Sequence, residues 1–130
     1  MTAGAHETST IDRTRLKQLL TQEQKRFADE HPQSLKLYEQ AKKVLLAGVP
    51  MNWMVKWAGT FPIFVKSAHG AKFTDVDGRE YLDLCLGDTG AMTGHAPAAS
   101  VEAICKRVGE GTTFMLPTED AIWVSQELHR

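Results

Sequence analysis

An α+β fold is what this sequence predicts, and three features predict it. Between Ile63 and Leu86 short runs of alternating apolar and polar residues are broken by His69-Gly70 and Val76-Asp77-Gly78, the pattern of an antiparallel meander. On both sides of it, apolar residues recur at helical spacing. Between the last strand and the next helix stands LCLGDTGAMTGHAPAAS, Leu84 to Ser100, with Gly87, Gly90 and Gly94 close together.

The chain opens with MTAGAHETST, a polar stretch expected to be a disordered tail over residues 1–10. It has no apolar core of the kind a secretory signal needs. A first helix is predicted over 11–31, with Ile11, Leu16, Leu19, Leu20 and Phe27 near one face. Ser9 or Thr10 is the expected cap, and His31-Pro32 the stop. A second helix is expected over 34–47, capped by Ser34, striped by Leu35, Tyr38, Ala41 and Leu45, and ended by Gly48. GVPMNWMVKWAGTFP then carries Met51, Trp53, Met54 and Trp57 with no clean period. Large apolar side chains in an irregular segment either plug a core or line a site.

Three strands are expected between 62 and 86: Ile63–Ser67, Ala71–Asp75 and Glu80–Leu86. Asp75-x-Asp77-Gly78 has a superficial likeness to a calcium loop, but it lacks the further acidic ligands, so turn chemistry is the reading and no metal site is expected. The glycine run is either a close-packed strand-to-helix connection or a ligand-facing edge, with Asp88, Thr89, Thr93 and His95 as its polar groups. Pro97 is placed in the first turn of a helix over 97–109, and Val101, Ile104, Cys105 and Val108 mark a face expected to be buried. Gly109 and Gly111 close it. A last helix over 118–130, capped by Thr118 with Glu119 and Asp120 at its positive end, runs to Arg130 without a stop signal, as in a fragment.

Composition narrows the function classes. The 130 residues suit one domain, and a net charge of -1 speaks against nucleic acid or an anionic membrane surface as partner. No apolar run is long enough to span a bilayer, so a cytoplasmic protein is expected. Cys85 and Cys105 form no metal-binding or CxxC spacing and are expected to be reduced, buried thiols.

FTDVDGREYLDL is close to a D-x-D-G-x-x-Y-x-D signature, carried by Asp75, Asp77, Gly78, Tyr81 and Asp83. It is preceded by Ala68-His69-Gly70-Ala71 and followed by a glycine-x-x-x-glycine-His segment, Gly90, Gly94 and His95. Gly48-Val49-Pro50 upstream and FMLPTEDAIWVSQEL downstream complete the pattern. In order and spacing this resembles the N-terminal part of class III pyridoxal-phosphate aminotransferases, the fold-type I enzymes that include glutamate-1-semialdehyde aminomutases and ω- and β-amino-acid transaminases. The resemblance covers roughly residues 34–130 and, weakly, the first helix.

The resemblance implies that residues 11–96 are the N-terminal part of a small domain and 97–130 the truncated start of the large cofactor-binding domain. It implies amino acid or amine and keto acid substrates, pyridoxal phosphate (PLP) as cofactor, and a homodimer for the full-length protein. Trp53, Met54, Asp88, Thr89 and Gly90 become the residues expected to line the substrate pocket. Many relatives carry an aromatic at the position of Asp88, and an acid there suits a substrate with an amine or other donor beyond the reacting carbon; the other reading is that Asp88 caps its own turn.

The family's Ser-Gly-Thr phosphate turn, ring-stacking residue, ring-nitrogen Asp and Schiff-base Lys do not occur in this stretch. No residue is therefore assigned to catalysis or to cofactor binding; lysines such as Lys56, Lys66, Lys72 and Lys106 are read on loops, turns and polar helix faces. The chain is expected to be inactive alone and to bind PLP weakly. The alternatives are a free-standing α+β interaction module without catalysis, and a fold-related PLP aminomutase or decarboxylase.

Overall fold

The computed structural model describes residues 11–56 and 59–130, so the expected tail, the caps at Ser9 or Thr10, and Trp57 lie outside the described residues. Helix α1 spans Arg13–Glu30 and α2 spans Pro32–Ala41. Strands β1 (Val65–His69), β2 (Lys72–Asp75) and β3 (Glu80–Leu82) follow, then helices α3 (Ala98–Val108) and α4 (Asp120–His129). The sheet has the order β1-β2-β3 with both pairings antiparallel, as the Asp-Gly turn predicts. The strands are shorter than expected; β3 ends at Leu82 because the chain then turns into the glycine loop.

Asp12 caps α1, its carboxylate accepting from the N–H groups of Thr14 and Arg15 at 2.9 and 3.0 Å. The helix stops before His31-Pro32, as expected, but α2 starts at once, with Pro32 in its first turn. Ser34 is thus inside α2 and fully buried, and is not its cap. The cap comes from the far hairpin: Asp77 accepts from the N–H groups of Gln33 (2.6 Å) and Ser34 (2.9 Å), placing a carboxylate at the positive helix end. Nor does α2 run to Gly48. It ends at Ala41, and a separate tight turn, Leu46–Gly48, follows with Ala47 at φ 56° and Gly48 at φ 73°. Gly48 is required there, since a Cβ would lie 2.6 Å from the Tyr38 ring.

The apolar core is small and sits where α1, α2 and the start of the sheet meet. Among the described residues Val49 and Phe61 are the buried hydrophobic ones, and Phe61 contacts Phe27 at 4.9 Å between ring centroids. On the sheet, Phe73 and Tyr81 are cross-strand partners stacked at 4.8 Å.

The C-terminal third departs from expectation. Val101, Ile104, Cys105 and Val108 do form one helical face, but none is buried, and both cysteines are free and exposed. The stripe records a surface made to be covered, and nothing among the described residues covers it. Pro97 is the residue before the first turn of α3, not within it. Thr118 does not cap α4; its hydroxyl donates to the Asp120 carboxylate at 3.1 Å. No helix among the described residues is long and apolar enough to cross a membrane.

Candidate functional site

Every residue of the D-x-D-G-x-x-Y-x-D run has an assignable contact or turn role, and together they build two polar junctions. The first joins the N-terminal helices to the sheet. Asp75 is fully buried; one carboxylate oxygen accepts from the N–H groups of Asp77 (2.9 Å) and Arg79 (2.8 Å), and the other from the Tyr81 hydroxyl (2.8 Å). His31 lies 5% exposed at the joint between α1 and α2, its Nε2 2.7 Å from the same hydroxyl. Its Nδ1 donates to the Phe27 carbonyl at 2.7 Å. Arg79 adds an ion pair to Glu30 at 3.2 Å, and Gly78 supplies the positive φ that the turn requires (85°). Burial first, then the bond to Asp75, push the Tyr81 phenol up to about 12. Burial would by itself raise Asp77, but the hydrogen bonds from Gln33 and Ser34 outweigh it and hold its carboxyl below the ordinary value.

The second junction closes the glycine loop. Asp83 follows β3, its N–H donating to the Ala71 carbonyl at 2.8 Å. One of its carboxylate oxygens accepts from the N–H groups of Cys85 and Leu86, both at 2.9 Å, and the other from His95 Nε2 at 2.6 Å. The His95 bond first, then that from Leu86, hold the Asp83 carboxyl below its ordinary value. The His95 backbone pairs with Gly70 in an antiparallel bridge, with bonds of 2.9 and 2.8 Å. Gly94, at φ 91°, lets the two chains approach so closely that a Cβ would sit 3.3 Å from Gly70 backbone atoms.

Between Asp83 and His95 the backbone takes an uncommon path. Leu86, Gly87, Asp88 and Thr89 all have positive φ, at 52°, 59°, 52° and 82°. For a residue with a Cβ this costs on the order of 1 kcal/mol or more, and such strain persists only where its surroundings enforce it. Inside the turn, Ala91 N–H donates to the Leu86 carbonyl at 2.8 Å and Gly90 N–H to Gly87 at 3.2 Å. Only the glycines hint at this path in the sequence; Leu86 and Thr89 do not.

Asp88, Thr89 and Gly90 therefore share one exposed turn. Asp83, not Asp88, ties this turn down through side-chain bonds, and the Asp88 carboxylate makes no hydrogen bond within the described residues. Trp53 and Met54 stand on a different turn, Asn52–Val55, which packs against Leu46–Gly48. Trp53 is 45% exposed, with its indole N–H 3.2 Å from the Met51 sulfur, and Met54 is half-buried. Sequence reasoning missed the partners His31 and Ser34, whose contacts lie 43 to 50 residues away.

The described residues do not fit a PLP site by themselves. All nine lysines are described and exposed, with Lys66 and Lys72 in strands and Lys72 paired to Glu80. Two surface grooves, one along α4 at Ala121, Ile122, Ser125, Gln126 and His129 and one between α1 and Gly59, have no lysine among their described lining residues. A Schiff-base lysine works from a desolvated setting, which none of these has. No group of three or more His, Cys, Asp or Glu side chains among the described residues is placed to hold a metal ion.

No protein-family model matches the chain. Similar curated proteins include a glutamate-1-semialdehyde 2,1-aminomutase of Cenarchaeum symbiosum, 38% identical over 86 residues, 66% of this chain and 20% of that one. Another, of Methanocella arvoryzae, is 41% identical over 86 residues, again 66% and 20%. Among solved structures, a glutamate-1-semialdehyde aminomutase from Pseudomonas aeruginosa PAO1 superposes with a TM-score of 0.84 at 45% identity, over 91% of this chain and 26% of that one. A variant of that protein has been solved in complex with PMP, and another similar structure is a transaminase with PLP bound. The chain spans about a fifth of the length of the curated relatives it matches. The resemblance to class III PLP enzymes and the α+β, fold-type I architecture it implies are thus met over a partial N-terminal stretch.

Proposed function

We propose that this chain is the N-terminal portion of a PLP-dependent, class III aminotransferase-type enzyme. The complete protein would move an amino group between an amino acid or amine and a keto acid or aldehyde. The observation that carries this reading is the superposition on the Pseudomonas aeruginosa aminomutase at 45% identity over 91% of the chain. The integrity of the signature supports it: Asp75, Asp77, Tyr81 and Asp83 are all committed to framework bonds, so this segment serves to build and present, not to catalyse.

In this account the helices and sheet form a rigid mount, residues 11–96 belong to the small domain, and the turn at Asp88, Thr89 and Gly90 faces substrate together with Trp53 and Met54. PLP, when bound in the complete protein, supplies the electron sink for the chemistry. This chain's part is to orient the substrate and keep water from it. The exposed Asp88 carboxylate, which makes no hydrogen bond to the described residues, favours a substrate carrying an amine or other hydrogen-bond donor beyond the reacting carbon. The complete enzyme would be a cytoplasmic homodimer, and the segment alone inactive.

A second reading, the aminomutase, is favoured by the names of the relatives in both comparisons. The two are separated by assaying a complete polypeptide carrying this segment, loaded with PLP, against a panel of amine donors with a keto acid. Transfer to the keto acid supports the aminotransferase. An amino shift within one substrate, with no dependence on an acceptor, supports the aminomutase. If the loaded protein does neither, both readings fail.

A further inference from the structure

We propose that Asp83 and His95 are positioning residues for the left-handed turn Leu86–Thr89, holding Asp88 and Thr89 in the shape in which they are presented. That the presented groups meet substrate rests on the reading above; that the pair holds the turn rests on geometry alone. The excursion over 84–94 leaves the sheet at Asp83 and returns at His95, and those two side chains meet at 2.6 Å. The Asp83 carboxylate also takes the second and third N–H groups of the loop, Cys85 and Leu86, which fixes the backbone on entry. The exit is fixed by the His95–Gly70 bridge. Within the turn only backbone bonds act. Residues with a Cβ do not remain at positive φ unaided, so the constraint must come from the two ends.

The His95 side chain is 23% exposed and that of Asp83 12%, so the pair is shielded while the turn it closes is open. With a hydrogen on Nε2, His95 donates to the Asp83 carboxylate.

Hydrogen exchange on the whole chain tests this and needs no cofactor, so its outcome is independent of the aminotransferase assay. Asp83→Ala and His95→Ala should both speed exchange at Asp88, Gly90 and Ala91 by about tenfold, leaving Lys72–Leu82 unchanged. Asp77→Ala, which removes two hydrogen bonds of the other junction, should leave the turn's exchange unaltered. Asp83→Asn should restore much of the protection, because its carbonyl still accepts from Cys85 and Leu86. Its amide would then face His95 as a donor and move the imidazole hydrogen from Nε2 to Nδ1, a change read directly by 15N NMR. Unchanged turn exchange in both alanine variants would overturn the proposal. So would a loss of protection spread evenly over β1–β3 in His95→Ala. Should Asp83→Ala fail to fold, His95→Ala and the Asp83→Asn tautomer decide it, an unmoved tautomer counting against it.

Discussion

His31 and Tyr81 stand 50 residues apart in the chain and 2.7 Å apart in space, His31 Nε2 against the phenol oxygen. Through that contact the joint between two helices is fastened to the last strand of the sheet. The Tyr81 hydroxyl passes its own hydrogen on to Asp75, so one phenol connects three elements.

Tyr81→Phe removes that connection while keeping the ring stacked on Phe73. It leaves buried polar atoms of His31 and Asp75 short of a partner, and should cost about 1–3 kcal/mol of stability in urea unfolding. The same residue predicts an alkaline effect. Its folded-state pKa is raised from 10.0 to about 12, so its contribution is fully present below pH 10 and lost as pH rises through about 12. Phenolate absorbance should show a tyrosine ionising near 12 that Tyr81→Phe abolishes.

Asp77 acts as a remote helix cap. Asp77→Ala should destabilise by about 0.5–2 kcal/mol, seen as faster exchange in the first turn of α2. Asp77 and Asp83 both have folded-state pKa values lowered from 3.8, so their contribution is present above that value and lost as pH falls through the depressed folded values. Urea unfolding followed against pH should show stability falling as pH drops through the carboxylate range, and Asp77→Ala should reduce that acid-dependent part.

Gly94→Ala tests the close approach at the loop's exit. The φ of 91° and a Cβ 3.3 Å from Gly70 backbone atoms leave no unstrained place for the methyl group. The variant should lose about 1 kcal/mol or more, and His95 N–H should exchange faster as the bridge opens. Gly78→Ala makes the comparison, since it has positive φ (85°) but nothing within 4 Å, so backbone strain alone acts there.

How much of this was legible in the sequence depends on how far each cause lies from its effect. The meander was legible because Asp77-Gly78 fixes a turn between adjacent strands. Ser34 was misread as a cap because the real capping carboxylate, Asp77, is 43 residues away and no local pattern announces it. The end of α2 at Ala41 was missed because the apolar spacing continues to Leu45 while the backbone does not. Cys105 was expected to be buried because its helix is striped; a stripe shows that a face is made for covering, not what covers it. The glycine loop was legible as structured, but its use of positive φ at Leu86 and Thr89 runs against residue preference and has no sequence signal.

Those uncovered faces predict how the isolated chain behaves. Met115 is fully exposed, Leu116 79% and Trp123 63%, and neither α3 nor α4 buries a residue. Leaving aromatic side chains in water forgoes several kcal/mol, comparable to the stability of a small domain. Expressed alone, the chain should associate or be marginally stable. Sedimentation velocity and tryptophan emission check this; a monodisperse monomer with blue-shifted emission and a cooperative melt would favour the free-standing module.

The most direct measurement on the central claim is cofactor trapping. The chain is mixed with PLP, reduced with borohydride, and its lysines are mapped by peptide mass. A segment that builds and presents but does not hold the cofactor should give only scattered, substoichiometric labelling of its exposed lysines. A stoichiometric adduct on a single lysine within residues 1–130 would contradict it.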